Sequence, residues 1–581
     1  MAARAAGRPA PRGNRPGRSL PVGGAAGIAL ADVRAYSSAP PADPPAARPP
    51  EWLKPLAIVS GLVGLLAFLA VPFLPVSQTQ SSLSWPQEGS TASVRAPLMS
   101  YAPESLEATV PLAAADTLPE GEDLLVGTVP EGAERYQAQG LTVRATDTGL
   151  TVTSRGQAFF DLDREELDEA AAAGASLEVS LTADEAIARV SGFDSEILDE
   201  DLRPMSVGVF SEIPEEEAAG LIDSGLSLEQ EINSRFTLSA TPVKAAAIAV
   251  GLVALAVALW CLYRIDKHSS VPRARIMPAG AWRPRLLDGV VAAALAVWHL
   301  IGANTPDDGY ILTMARLAGE SDYMANYYRW FGVPEAPFGF PFYDLLSYMV
   351  QVSTASVWLR LPTLIAGLAI WFMLSRLVLP ALGPAVAGRG VARWTAALLF
   401  LAFWLPYNNG IRPEPVIAAG ALFTVVCFER AIATRRFLPA AVGVVAATLS
   451  LGAGPTGLMA VAAVLVSLPS LITLLYERLP ELGAPHDGPR GRAVAASAAV
   501  LLPFFAAGTA ILCGVFSTQT IATVLEATRV RSEIGPSLPW YEEFSRYEAL
   551  LDVGGADGSF TRRFPVFMLL AASAIVAVSL L

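Results

Sequence analysis

Cysteine and histidine are scarce in this chain of 581 residues, which contains three of each. Cys261, Cys427 and Cys513 all lie in apolar runs, where a free thiol packs as a small hydrophobic side chain. The three histidines are scattered and lack the spacing of metal ligands. The sequence therefore excludes a disulfide framework and a transition-metal site.

Charge is also scarce, at 16% of the residues, whereas soluble domains carry about 25%. Hydrophobic residues make up 53% of the chain, and its mean hydropathy is +0.44. Nucleotide-binding motifs are missing too, because no Rossmann fingerprint or P-loop lies in a strand–turn–helix context. This composition predicts a membrane protein with a soluble part attached.

The charges are unevenly distributed along the chain. Residues 1–54 hold eight basic and three acidic residues, whereas residues 78–242 hold 31 acidic residues, eight arginines and no lysine. Such asymmetry indicates that the two segments lie in different compartments. It also excludes a nucleic-acid partner, which requires a basic stripe that no folded part supplies.

Hydropathy divides the chain into four regions. Residues 1–54 are rich in Ala, Pro, Gly and Arg and are expected to form a disordered cytoplasmic tail, too long for a cleavable signal. Residues 55–77 contain the first span, Leu56–Val76, and residues 78–242 form an acidic, outward-facing insert. Residues 243–581 form a transmembrane core.

The insert is predicted to be a β-sandwich. Leu141–Val152, Ser176–Leu181 and Met205–Ile213 are β-rich runs separated by Gly, Asp and Pro turns, and a helix is expected near Arg164–Ala173. Its acidic clusters are interpreted as a solvated face rather than a cation site.

The core is predicted to bring the total to about ten crossings. The nine apolar segments after the insert are Val243–Tyr263, Leu286–Ile301, Val357–Leu379, Val391–Pro406, Pro415–Phe428, Phe437–Leu451, Leu458–Leu475, Ala493–Phe516 and Phe564–Leu581. Alternating them places the basic loops in the cytoplasm, as the positive-inside rule requires. Phe340–Val352 is expected to lie along the outer interface, with Tyr343 and Tyr348 as interfacial aromatics. Because the chain stops at Leu581 inside an apolar segment, a truncated product or fragment is expected.

Two adjacent carboxylates, Asp307 and Asp308, follow the apolar run Leu286–Ile301 at the predicted outer face. One aspartate there would serve as a helix cap. Two aspartates at the mouth of a membrane helix favour chemistry, because one carboxylate of a close pair has its pKa raised by the other and suits a general base. A pair of aspartates can also hold Mg²⁺ or Ca²⁺, so a divalent cation remains open, with no cofactor certain.

A second outer loop, Tyr407–Pro415, carries Arg412 and Glu414. Arg412 has two interpretations: an arginine that anchors lipid headgroups, or a guanidinium fork that holds a phosphate diester. A third loop, Gly452–Gly457, is interpreted as a tight interhelical turn.

Long motifs of the core resemble one known family. They are DDGYILTMAR, YMANYYRWFGVPEAPFG, VWLRLP, NNGIRPEP, ERAIATRRFLPAA, LGAGPTGL and EATRVRSEIGPSLPWYEE. They are similar to the arabinosyltransferases of mycobacteria and corynebacteria, the target family of ethambutol, in order from about residue 56 to residue 581. The resemblance implies a multi-span α-helical membrane protein of GT-C glycosyltransferase type. It also implies an extracytoplasmic, jelly-roll-like β-sandwich inserted between the first two transmembrane helices.

The resemblance implies a function as well. It points to transfer of arabinofuranose from decaprenyl-phosphoryl arabinose to an arabinan acceptor, with inversion, by a multi-pass protein of the plasma membrane whose active site faces the periplasm and cell wall. The implied assembly is a homodimer or a heterodimer with a paralogous arabinosyltransferase. The family continues for several hundred residues that this chain lacks.

The resemblance also assigns residues to the site. Asp307 matches the catalytic aspartate, Asp308 and Tyr310 belong to the substrate site, and Glu335 lies in a loop that lines it. Met314 matches a methionine associated with ethambutol resistance and is assigned to the inhibitor pocket. Ala336 stands where the family has an acidic residue. With Arg412 and Glu414 from the second loop, these complete the predicted site, which includes no metal ligand.

Three alternatives remain at this stage. A polyprenyl-phosphate-dependent O-mannosyltransferase would share the architecture and an acidic first outer loop. A transporter would use the aspartates as a proton relay and place ionisable residues near the bilayer midplane, whereas here they lie mostly at the ends of spans. A non-catalytic scaffold that pairs with a full-length paralogue is the third.

Overall fold

The computed structural model describes residues 49–96, 102–130, 132–133, 138–268, 276–278, 280–305, 307–320, 327–328, 333–334, 337–383, 386, 388–534, 571–572 and 574–575. The β-strands of the insert, in chain order, are β1 Val76–Gln78, β2 Ser81–Trp85, β3 Val94–Arg95, β4 Pro103–Pro111, β5 Leu124–Gly127, β6 Leu141–Thr146, β7 Gly149–Ser154, β8 Gln157–Asp163, β9 Ser176–Leu181, β10 Ala186–Val190, β11 Asp194–Leu198, β12 Gly208–Val209, β13 Ser227–Ile232 and β14 Leu238–Ala240.

The α-helices, in chain order, are α1 Leu53–Ala70, α2 Arg164–Ala172, α3 Ala218–Asp223, α4 Pro242–Lys267, α5 Leu286–Ile301, α6 Asp308–Glu320, α7 Phe342–Val352, α8 Ser356–Leu359, α9 Leu361–Met373, α10 Leu379–Ala381, α11 Gly390–Trp404, α12 Glu414–Thr434, α13 Phe437–Ala453, α14 Leu458–Arg478, α15 Arg490–Thr509, α16 Ile511–Val515 and α17 Ile521–Ile534. A π-helical segment, Leu374–Val378, joins α9 to α10.

The insert is a sandwich of two antiparallel sheets. The larger has the strand order β11-β10-β9-β4-β13-β2 and the smaller β5-β6-β7-β8. Their apolar faces meet in one core, with Leu106 and Val179 from one sheet and Val143 and Val152 from the other. The period-two burial of SLEVSL in β9 shows why such runs form strands: every second side chain faces the core.

The predicted elements of the insert have different outcomes. The hairpin β6–β7, strand β9 and helix α2 confirm the predictions, and α2 begins in a capping box between Asp163 and Glu166. The β-rich run Met205–Ile213 contains only a short strand, Gly208–Val209, and a bridge from Phe210 to Gly127, so that prediction is confirmed only for these residues.

The membrane part contains seven described helical segments long and apolar enough to cross a bilayer: Leu53–Phe73, Pro242–Lys267, Ser356–Ala381, Gly390–Tyr407, Glu414–Thr434, Pro455–Arg478 and Arg490–Val515. Two shorter apolar helices, α5 and α13, match two more of the predicted spans. The tenth prediction, Phe564–Leu581, falls almost wholly outside the described residues.

One end of the helical bundle is fastened by buried ionic contacts. Asp266 at the end of α4 accepts hydrogen bonds from the backbone N–H groups of Phe437 and Leu438, at 2.9 and 2.8 Å, which open α13. The Arg478 guanidinium, 1% exposed, reaches the same carboxylate at 2.7 Å. This contact joins α4, α13 and α14 at the end that carries the basic loops.

The opposite end carries the insert and a separate apolar cluster. Met314 of α6, Phe342 of α7, Ile411 and Ala453 pack together there with Phe236, which belongs to the segment between β13 and β14. The sequences that follow α5, α11 and α13 therefore meet on the side of the bundle from which the sandwich emerges.

The helix α7 corrects one expectation about this end. Tyr343 was expected to be an interfacial aromatic, but its side chain is 5% exposed and packs in the same cluster, because α7 packs against α6. Tyr348, five residues further along α7, is 68% exposed.

Candidate functional site

The centre of the candidate site is an arginine held between two carboxylates. Nη1 of Arg412 lies 3.1 Å from Oδ2 of Asp307, and Nη2 of the same guanidinium lies 2.9 Å from Oε1 of Glu414. Asp307 comes from the loop after α5, and Arg412 comes from the loop after α11. The structure thus brings together three of the residues that sequence reasoning selected.

These three side chains are partly open to the surroundings. Their exposed fractions are 23% for Asp307, 38% for Arg412 and 31% for Glu414. Burial lowers the pKa of the Arg412 guanidinium, but Glu414 and Asp307 raise it further, so the pKa lies above the ordinary value. Tyr310, one helical turn after Asp307, contributes to the same rise. The guanidinium therefore stays charged and can orient a carboxylate or meet an anionic group.

Asp308 has surroundings quite unlike those of Asp307. It is 8% exposed, and its carboxylate accepts hydrogen bonds from the N–H of Thr305 at 3.0 Å and from the N–H of Ile411 at 3.1 Å. The Thr305 hydroxyl also donates to it. These contacts tie the first loop to the second, so the described geometry gives Asp308 a positioning role.

Arg360 holds the first loop in place by hydrogen bonds to its backbone and to one of its side chains. This residue was not among those predicted from the sequence. It is 4% exposed and donates to the carbonyl oxygens of His299, at 3.3 Å, and Gly302, at 2.8 Å, and to the side chain of Asn304. The signal in the sequence was a single arginine inside the apolar run VWLRLP, where an unpaired charge is costly.

The second loop approaches the first at a glycine. A Cβ atom on Gly410 would lie 2.6 Å from Cγ2 of Thr305 and 3.2 Å from Oδ1 of Asp308. The Gly410 carbonyl accepts a hydrogen bond from the Thr363 hydroxyl at 3.0 Å, and Asn409 donates to the Ala303 carbonyl. The NNG sequence is therefore what lets Arg412 reach Asp307.

Two other predicted site residues have different positions. Met314 is fully buried in the apolar cluster beneath the site, packed with Phe342 and Ile411, and does not face an opening. Glu335 lies outside the described residues.

A groove lies beside this cluster, between the sandwich and the membrane helices. It is lined by Phe236 of the insert, Phe340, Asp344 of α7 and the segment that follows α16. The N–H of Gly339 donates to the Gly452 carbonyl at 2.8 Å, so the third predicted loop borders the groove. That loop is a tight turn, with a 3₁₀ segment over Pro455–Gly457, as its interpretation predicted.

Within the described part of the chain, no three His, Cys, Asp or Glu side chains cluster as metal ligands do. The described contacts of the site are instead with arginine and backbone N–H groups. A divalent cation at Asp307 and Asp308 stays a prediction.

Comparison with known protein families finds matches for both parts of the chain. Residues 77–235 match a family described as an arabinosyltransferase concanavalin-like domain. Residues 239–581 match a family described as a mycobacterial cell wall arabinan synthesis protein.

Individual relatives agree with these matches. The chain is 41% identical over 535 residues to the probable arabinosyltransferase C of Mycolicibacterium smegmatis, an alignment that covers 90% of this chain and 48% of the relative. It is 40% identical over 544 residues to the protein of that name from Mycobacterium tuberculosis strain CDC 1551, with coverages of 90% and 48%.

A solved structure confirms the predicted fold class. The cryo-EM structure of arabinosyltransferase EmbB from Mycobacterium smegmatis matches with a TM-score of 0.59 and 37% identity, and the match covers 90% of this chain and 50% of that one. The chain thus spans about half the length of the relatives it matches.

Proposed function

The chain belongs to the family of mycobacterial cell-wall arabinosyltransferases, and from this premise we propose that it transfers D-arabinofuranose from decaprenyl-phosphoryl arabinose to a growing arabinan. The acceptor is the arabinan of arabinogalactan or lipoarabinomannan, and the reaction takes place on the extracytoplasmic face of the plasma membrane. Family membership favours arabinose over the mannose of the alternative transferase.

The contact between Asp307 and Arg412 is the observation that carries this proposal. It joins two loops at the end of the bundle that also carries the sandwich, and it leaves the Asp307 carboxylate partly exposed. A carboxylate that is oriented by a guanidinium and accessible to a sugar hydroxyl has the geometry that a general base needs.

In the proposed reaction, Asp307 takes the proton of an acceptor hydroxyl. The hydroxyl oxygen forms a bond to the anomeric carbon of the donor while the bond from that carbon to the phosphate oxygen breaks, which inverts the configuration. The lipid phosphate leaves with the electron pair of the broken bond.

Arg412 holds Asp307 and Glu414 in the described state. The predicted contact of Arg412 with the departing phosphate requires the guanidinium to exchange one carboxylate for a phosphate oxygen. Such an exchange is feasible because phosphate oxygens, like carboxylate oxygens, match the arginine fork.

Transfer of arabinose by membranes that contain this chain tests the proposal. We expect the wild type to transfer arabinose from decaprenyl-phosphoryl arabinose and Asp307→Asn to lose about 10²–10⁴-fold of the rate. Asp487→Asn, an exposed aspartate in the loop after α14, is the matched control and should keep full activity.

The outcomes separate the parts of the proposal. A wild-type chain that transfers no arabinose contradicts transferase activity in this chain, and a fully active Asp307→Asn contradicts the assignment of the base. A chelator added to the same assay tests the predicted divalent cation. Sedimentation of the purified chain with and without a paralogue tests the predicted dimer.

A further inference from the structure

A second cavity lies at the other end of the helix that leads to the candidate site. It has a volume of about 220 Å³ and is bordered by the start of α5, the π-helical segment and the start of α11. The 16 residues of α5 rise by about 1.5 Å each, so this cavity and the Asp307 loop lie on opposite faces of the membrane part. The volume is ample for a polar group, because about 10–15 Å³ suffices for one water molecule.

Three arginines and one aspartate line this cavity. Arg376 is 6% exposed and fully engaged: it pairs with Asp288, and it donates to the carbonyls of Ala281, at 2.9 Å, and Arg283, at 3.1 Å. Asp288 is therefore already neutralised. Arg393 forms no ion pair with a described residue. Arg285 is exposed and has Asp288 as its nearby anion, but that carboxylate is already paired with Arg376.

The guanidinium of Arg393 has an unsatisfied donor. Its Nε atom is buried and has no acceptor among the described residues. A buried donor without an acceptor is costly, and a bound ion or polar ligand is a regular explanation for one. All three arginines line the same cavity, so repulsion between like charges is a second cost there, and an anion between them would relieve it.

The mouth of the cavity is apolar and aromatic. Leu286 is 85% exposed and Trp394 46%, and both line the cavity beside the arginines. Trp282, 77% exposed, packs against Phe372 at the same end of the bundle, with the two ring planes tilted by 31°. Exposed tryptophans and leucines next to a basic cavity are typical of headgroup depth in a bilayer, with the acyl chains alongside.

We propose that this cavity binds the phosphate of an anionic phospholipid in the leaflet opposite the candidate site. Arg285 and Arg393 donate charge-assisted hydrogen bonds to the phosphate oxygens, and the acyl chains lie against Leu286 and Trp394. A free phosphate would gain nothing from the apolar mouth, which is why the geometry selects a lipid. The site is independent of the transfer reaction.

Thermal unfolding of the purified chain in a neutral detergent tests this proposal. Phosphatidylglycerol, phosphatidylcholine and inorganic phosphate are titrated separately, and native mass spectrometry counts the retained lipids. We expect phosphatidylglycerol to raise the Tm of the wild type and the other two to leave it unchanged.

Two double variants with the same change in net charge separate the cavity from the general surface. Arg285→Gln/Arg393→Gln should weaken the apparent affinity for phosphatidylglycerol by about tenfold or more, because charge-assisted hydrogen bonds are lost. Arg490→Gln/Arg492→Gln, at the exposed start of α15, should bind as the wild type does. Without lipid, the cavity variant should unfold at or above the wild-type temperature, because two like charges are removed.

Three results would overturn the proposal. The first is a wild-type Tm that phosphatidylglycerol does not change. The second is an equal loss of affinity for phosphatidylglycerol in both double variants. The third is an equal rise in Tm with inorganic phosphate at the same concentration. If the cavity variant does not fold, Arg285→Lys/Arg393→Lys keeps the charges but loses the planar forks. This variant should retain phosphatidylglycerol with a several-fold lower affinity, and wild-type affinity would contradict the proposed contacts.

Discussion

Asp307 and Asp308 are neighbours in the chain, but their side chains have different surroundings. Successive residues at the start of a helix point about 100° apart, so one carboxylate faces Arg412 at the open side and the other faces the backbone of the second loop. The three donors around Asp308 satisfy it without any ligand. The geometry therefore leaves Asp307 available for the proposed chemistry and gives Asp308 a structural role.

This difference predicts opposite effects of two isosteric changes. Asp308→Asn should lower the free energy of unfolding by about 1–3 kcal/mol. The Thr305 and Ile411 N–H groups bond to different carboxylate oxygens, and an amide keeps only one of these acceptors, so one buried donor is left unsatisfied. Asp307→Asn should leave stability nearly unchanged, because that side chain is partly exposed and Arg412 keeps Glu414. Thermal unfolding of both variants checks this, and equal losses would contradict the division of roles.

Gly410 yields a second prediction at this scale. Alanine there would place Cβ 2.6 Å from Cγ2 of Thr305, so the second loop must shift and carry Arg412 away from Asp307. We expect Gly410→Ala to cost about 1–3 kcal/mol of stability and to reduce arabinose transfer.

The matched control for that change is Gly289→Ala in α5. A Cβ on Gly289 meets nothing within 4 Å, and alanine is a better helix former than glycine. Gly289→Ala should therefore keep both stability and activity. A Gly410→Ala variant that behaves in the same way would show that the two loops do not need their close approach.

The sequence could predict that Asp307 and Arg412 lie on one face, because alternating spans place their loops together. It could not predict that Arg412 also engages Glu414, or that Asp308 turns inward, because both depend on the packing of side chains from different helices. The role of Arg360 was not predicted for the same reason. A lone arginine in an apolar run indicates a buried partner without indicating which carbonyl oxygens it will meet.

At the scale of elements, helix α7 places a partly buried carboxylic acid, Asp344, in a groove. Asp344 lines the groove between the sandwich and the membrane helices, and burial raises the pKa of its carboxyl above the ordinary value. Between the ordinary and the raised pKa, the folded chain binds more protons than the unfolded chain. Stability due to this group therefore falls as the pH rises through that window, and the loss is complete above the folded-state pKa.

Asp344→Asn removes this dependence on pH. We expect the variant to unfold at a higher temperature than the wild type at pH 7, because the amide carries no charge to desolvate. The difference in unfolding temperature should shrink as the pH is lowered through the raised pKa toward the ordinary one, because the wild-type carboxyl becomes neutral in the folded chain. Unfolding temperatures measured across this range check the sign, and a difference that is constant with pH would contradict it.

Local patterns predicted some elements better than others. SLEVSL forms a regular strand because both of its neighbours, β4 and β10, run along its whole length. Met205–Ile213 has a similar composition but pairs in turn with several partners: the N–H of Met205 bonds to Gln139 and the N–H of Val207 bonds to Thr128. Its backbone groups therefore form hydrogen bonds without a regular strand ladder. The sequence of this segment alone does not reveal which distant residues it will pair with.

At the scale of the whole molecule, the sandwich is inserted between two neighbouring helices. Val76 pairs with Ala240 where β1 meets β14, and the Thr241 hydroxyl donates to the Pro75 carbonyl at 2.8 Å. The two ends of the insert therefore lie side by side, above α1 and α4. The chain can therefore leave the membrane and return to it at neighbouring points. The helices α1 and α4 stay continuous apolar runs, and hydropathy alone located both of them.

The sandwich should fold without the membrane helices, because its core is a separate cluster that draws on both sheets from Leu83 to Leu228. We expect the fragment of residues 76–240 to be soluble, β-rich and cooperative in unfolding. Trp85, 1% exposed, is the single tryptophan of this fragment, so a red shift of its emission reports the loss of the core.

Leu106→Ala, at the centre of the core, should cost about 2–5 kcal/mol of the fragment's stability. Ile197→Ala, 60% exposed on the edge strand, should have little effect. A fragment whose tryptophan emits as in the unfolded chain would show instead that the membrane helices are needed to form the sandwich.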